Sequence, residues 1–65
     1  VISEERLQAL EALAALSEQY PDKPLGELVA NVACWAWGLE RDAVWKVSDE
    51  AFLRAIEEHL RQRGR

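Results

Sequence analysis

The segment Leu25–Gly38, LGELVANVACWAWG, constrains this chain more than any other. On a helical wheel, Leu25, Leu28, Val29, Val32, Ala33, Trp35, Ala36 and Trp37 cover more than half of the circumference. Glu27 and Asn31 form the only polar strip, with Cys34 beside it. A surface helix needs an apolar arc of only about 100° or a little more. This helix therefore predicts several covering elements, either from its own chain or from another. It is expected to be the hub of the fold.

The chain that must supply this cover has 65 residues, enough for one domain over residues 1–65. A chain of that size buries only about 60% of its unfolded surface, so helix packing, metals, disulfides or oligomerisation must help. One cysteine, Cys34, excludes an internal disulfide. One Cys and one His fall short of the usual four zinc ligands unless carboxylates or a second chain contribute. No cofactor is indicated. Close helix packing and self-association remain.

Charge narrows the partners. Twelve acidic residues against eight basic give a net charge of −4, which disfavours long-range attraction to nucleic acid or anionic membrane. No apolar run approaches the roughly 18–20 residues of a membrane-spanning helix, and no signal-peptide pattern is visible. A lone cysteine fits a reducing, cytoplasmic setting. Arg outnumbers Lys six to two, which points to a GC-rich bacterial source and fits a thermophile. The chain lacks methionine, so the initiator was removed or the numbering starts inside a longer product.

The first helix is expected to begin at Ser3 as N-cap, with Glu4 and Glu5 complementing the positive end. Ile2 and Leu7 stand at hydrophobic-staple positions. Leu7, Leu10, Leu13, Leu16 and Tyr20, with Ala9 and Ala14 between them, are read as its apolar side. Ser17 falls within that side, where its hydroxyl is expected to bond the Leu13 carbonyl. Pro21 ends the helix near Gln19. In the breaker cluster that follows, Asp22 is the expected N-cap of helix two, and Pro24 falls in its first turn. Gly26 is expected to admit a close backbone approach. A phosphate-cradling role lacks the second glycine and the Lys of a phosphate loop.

Gly38 is expected to close helix two in a left-handed conformation. A short connection over residues 39–42 leads to Ala43–Val47, whose alternation favours an extended connector over pairing with the same segment of a second chain or a loose turn. Helix three then starts at Ser48, with Asp49 and Glu50 in its first turn and Val47 stapling to Phe52. Phe52, Leu53, Ile56 and Leu60 form its stripe. Glu50 with Arg54, and Glu57 with Arg61, have favourable i,i+4 spacing. Gly64 is the expected stop. The fold class is thus mainly α, a compact three-helix domain with a short extended segment between helices two and three.

Few residues carry chemistry. His59 has no orienting carboxylate at a suitable spacing and reads as a boundary residue favoured by the helix dipole. Cys34 reads as a small hydrophobe. The carboxylates sit where helix starts and solvent faces call for them, and no HExxH, GxSxG, calcium-loop or phosphate-loop motif occurs. The chain is therefore read as a non-enzyme, with no catalytic, cofactor or metal residues. Its unusual feature is three tryptophans. Trp35 is read as core. Trp37 projects roughly 160° away from it and should meet a different neighbour. Trp37 and Trp45 are expected either to cap the two ends of the small core or to supply an interface anchor, because Trp is enriched at interaction hot spots, and they are the candidate interface residues. The favoured role is a protein-interaction or self-associating module. The alternative is a small nucleic-acid-associated regulator using Arg54, Arg61, Arg63 and Arg65, although Glu57 and Glu58 interrupt that surface. No small-molecule substrate is indicated.

Two sequence runs resemble a known group. The first comprises Tyr20-Pro21-Asp22, Leu25-Gly26, Leu28 and Asn31. The second comprises Asp42, Trp45, Ser48-Asp49-Glu50 and Leu53. Together they resemble a group of short bacterial proteins with a YPDxRxGQL-like segment followed by an aromatic DxFYxxDEEL-like segment. The resemblance covers roughly residues 16 to 56 and departs from the group at Lys23-Pro24 and in the Trp-rich helix end. The group has no assigned activity, so the resemblance implies no catalytic residues. It does imply that Gly26 and residues 44–47 serve the structure of a compact unit.

Overall fold

Four helices form in the computed structural model, which describes residues 1–40 and 42–63: α1 (Glu4–Gln19), α2 (Leu25–Trp37), α3 (Ala43–Lys46) and α4 (Asp49–Arg63). The expected stop at Gly64 and the basic residue Arg65 lie outside the described residues, as does Arg41 in the α2–α3 connection. The radius of gyration is 11.3 Å, which matches the roughly 11 Å of a compact chain this long.

Helix α1 starts as its sequence predicts. The Ser3 hydroxyl oxygen accepts from the Arg6 backbone N–H at 3.1 Å. Ser17 donates to the Leu13 carbonyl at 3.0 Å. Its buried face differs from the expected row. Ala9 and Leu16 are buried, with Ala12, Leu13 and Tyr20 against the core, whereas Leu7 and Leu10 stay half exposed. The reason is geometric. Steps of three residues each fall about 60° short of a full turn, so Leu7 and Leu16 point to opposite sides. Ile2 and Leu7 are both exposed, so the staple buries little.

The start of α2 also differs from expectation. Its N-cap is Pro24, with no side-chain cap, and the Pro24 carbonyl accepts from the Glu27 and Leu28 N–H groups. Asp22 instead lies in a turn closed by the Lys23 N–H on the Tyr20 carbonyl at 3.1 Å. A residue before proline is driven away from helical geometry, so Lys23 cannot join a helix begun at Asp22. Gly26 has nothing within 4 Å of the place a Cβ would occupy. The anticipated close approach at Gly26 is therefore absent. At the other end, the Gly38 N–H bonds the Cys34 carbonyl at 2.8 Å. Gly38 adopts φ 118° and ψ 179°. The positive φ agrees with the glycine signal. The extended ψ places it in a region reserved for glycine and outside the left-handed helical well.

The expected extended segment is a single helical turn, α3. The Val47 N–H reaches back to the Ala43 carbonyl at 3.1 Å, and the Trp45 N–H to that of Asp42 at 3.0 Å. No strand occurs among the described residues, so residues 43–47 have no ladder to join. A turn closes their backbone bonds locally, and context outweighs β-propensity. Ala43 is buried where α3 rests on α2.

Helix α4 is capped by the Ser48 hydroxyl oxygen, which accepts from the Ala51 N–H at 3.1 Å. Both other long helices pack on α4, and they touch each other little. Helix α2 meets all three other helices and buries Leu28, Val32 and Ala33, so it shares the centre of the fold with α4. Leu16, Leu28, Val32 and Ile56 form the closed core between the three long helices. An ion pair from Arg6 to Asp49 at 2.8 Å joins the starting ends of α1 and α4. Arg54 pairs with Glu50 as expected, whereas Arg61 takes Glu58 one turn back in place of Glu57.

Candidate interaction surface

Only part of the wide apolar arc of α2 is covered. Leu28, Val32 and Ala33 are buried, while Leu25, Trp35 and Trp37 remain substantially exposed. The apolar exposure continues through the α2–α3 corner. Leu39 is 94% exposed, Trp45 85% and Trp37 48%. Val44 is also exposed.

Trp37 and Trp45 reach this surface in different ways. The Trp37 indole N–H donates to Glu40 Oε2 at 3.0 Å. Lys46 Nζ lies 3.4 Å from the same oxygen, 3.2 Å from an Asp42 oxygen and 6.0 Å from the Trp37 ring centre. Trp37 is thus held in place by polar neighbours of its own chain, with a cation facing its ring. Trp45 has no side-chain hydrogen bond or ring contact among the described residues. Its position explains why: a one-turn helix that buries Ala43 turns the side chain two residues later away from the support.

Beside α3 an apolar groove opens. Leu10 and Leu13 of α1, Val44 and Val47 around α3, and Phe52 of α4 form its main walls. Its volume is about 210 Å³, and Arg6 and Asp49 stand at its edge, paired to each other. Both the groove and the exposed Leu39 escape a reading by helical periodicity. The i+3 drift that takes Leu10 off the core face is one signal for the groove. A large apolar residue placed between Gly38 and charged residues is the signal for Leu39.

A second cluster lies at the far end of the bundle. The Tyr20 hydroxyl and His59 Nε2 are hydrogen-bonded at 2.8 Å. The His59 ring stacks on Trp35, with centroids 4.1 Å apart and planes 12° from parallel. Arg63 donates from Nη1 to the Tyr20 hydroxyl oxygen at 3.1 Å, and its guanidinium carbon lies 4.8 Å from the ring centre. These contacts tie the end of α1 to α2 and α4. Trp35 was expected in the core. It instead forms a half-exposed lid over His59, because α4 offers a ring there and no other helix covers the far face. The His59–Arg63 spacing of four, opposite a tyrosine that ends α1, is the sequence signal for this brace.

The brace gives His59 a phenol and an indole as neighbours, and among the described residues no carboxylate hydrogen-bonds it for general base work. Cys34 is half-buried and shares no hydrogen bond with His59 among the described residues. No group of three or more His, Cys, Asp or Glu side chains is placed to hold a metal among the described residues. No helix among them is long and apolar enough to cross a membrane. The arginines considered for nucleic-acid contact have partners within the chain: Arg54 on Glu50, Arg61 on Glu58 and Arg63 on Tyr20. No family model, curated protein or solved structure matches the chain.

Proposed function

We propose that this chain is a protein-interaction module that self-associates through the α2–α3 corner and performs no reaction of its own. The observation that carries this reading is Trp45, a tryptophan 85% exposed, with no side-chain hydrogen bond or ring contact among the described residues. Large exposed apolar groups that lie close together mark interaction sites, and tryptophan is the residue most enriched at binding hot spots. Leu39 and Trp37 extend the same surface, and the groove beside Val44 adds concavity. A chain of 65 residues gains most from such association, since its own core is small.

Light scattering coupled to size separation tests this directly. The expected mass rises from one chain toward two between low and high micromolar concentration. A mass of one chain, 7.4 kDa, throughout that range removes self-association from the reading.

A further inference from the structure

The α3 face holds an exposed ring and an apolar recess at adjoining residues. Val44 forms a wall of the groove, and Trp45, the next residue, projects from the protein. A two-fold interface requires this combination, because one patch must present both the inserting group and the receiving site. We propose that two copies of the chain pair about a two-fold axis, with Trp45 of each copy seated in the α1–α3–α4 groove of the other. This rests on the self-association reading above and specifies its geometry.

Three observations favour a second copy as the occupant. The first is size. An apolar cavity of about 150 Å³ takes benzene, and a groove of about 210 Å³ has room for the larger indole. The second is charge. The whole chain carries −4, yet the corner holds only a small part of that excess. Lys46 lies 3.4 Å from Glu40 and 3.2 Å from Asp42, so the described residues of the corner carry only −1 and most of the surplus acid lies elsewhere. Arg6 and Asp49 at the groove edge sum to zero. Two copies therefore meet on faces of little net charge, where a strongly basic partner would find little to match. The third is area. A buried aromatic side chain brings about 150–250 Å² of its own surface. Two reciprocal insertions, with the groove walls they cover, approach the roughly 1,000 Å² that a specific interface needs.

The reciprocal arrangement makes a demand that no one-sided docking makes. Trp45→Ala removes the ring and leaves the groove. Leu10→Arg obstructs the groove and leaves the ring. Leu10 is half exposed, so the fold tolerates the change, and the net charge becomes less negative. Loss of association in Leu10→Arg therefore cannot be ascribed to stronger long-range repulsion. Sedimentation equilibrium is measured for the wild type, each variant and their equimolar mixture, with circular dichroism to confirm helix content. Each variant alone is expected to associate at least about thirtyfold more weakly than the wild type, as for a hot-spot ring lost from both copies. The mixture is expected to regain a two-chain species, because Trp45 of the Leu10→Arg chain meets the intact groove of the Trp45→Ala chain. A wild type that associates while either folded variant keeps its full affinity overturns the insertion and leaves the broader reading standing. A mixture no heavier than its components overturns the reciprocal geometry. A wild type of one-chain mass throughout overturns both.

Discussion

The two ends of this small bundle use apolar side chains in opposite ways. At one end Leu16, Leu28, Val32 and Ile56 meet between three long helices and are almost wholly removed from water. Tyr20, His59 and Trp35 close that end with a hydrogen bond and a stacked ring pair. At the other end a single turn, α3, buries Ala43 and leaves Val44 and Trp45 outside. The difference follows from helix length. Three-turn and four-turn helices can face one another along a stripe, whereas one turn has room to bury one small residue. The larger residues on that turn are left exposed. The closed end accounts for the fold, and on our reading the open end accounts for association.

Substitutions can break or sharpen this contrast. The largest loss is expected at the closed end. Leu16→Ala removes a fully buried side chain and should cost about 2–5 kcal/mol of unfolding free energy in urea titration. Gly38→Ala comes next, at about 1–3 kcal/mol. No atom blocks a Cβ there, so the whole cost is the backbone conformation at φ 118°. Tyr20→Phe deletes the hydroxyl shared with His59 and Arg63 and should cost about 0.5–1.5 kcal/mol. Gly26→Ala should change stability in the opposite direction, a gain of about 0.4–1 kcal/mol, since the site is helical and open. Trp45→Ala should give the smallest change, within about 0.5 kcal/mol for the dilute single chain. A Trp45→Ala loss as large as that of Leu16→Ala would erase the distinction between the two ends.

Much of the closed end is legible in the sequence because its signals are local. Ser3 and Ser48 announce the starts of α1 and α4, and Pro21 stops α1 at Gln19, two residues before itself. The spacing of Phe52, Ile56 and Leu60 places the α4 stripe correctly. The misreadings share a cause: each depended on what packs against a residue. The row from Leu7 to Leu16 looks continuous on paper but winds around the helix. Residues 43–47 favour a strand by type, yet they have no partner strand. Asp22 is a good cap by type, yet Pro24 fixes the entry two residues later. Trp35 resembles a core residue until His59 is placed beneath it. The groove is harder still, since Leu10, Val44 and Phe52 come from three separated segments and no spacing connects them. The choice of Trp37 and Trp45 as candidates follows from residue type alone. The structure adds the contrast between them, with Trp37 held by Glu40 and Lys46 and Trp45 without such support among the described residues.

The most direct test of the division between the two ends is the unfolding temperature measured against protein concentration. A partner that binds only the folded state raises that temperature as concentration rises. The account predicts a wild-type midpoint that climbs with concentration, and a Trp45→Ala midpoint that stays at the dilute wild-type value. A wild-type midpoint independent of concentration from low to high micromolar would contradict it.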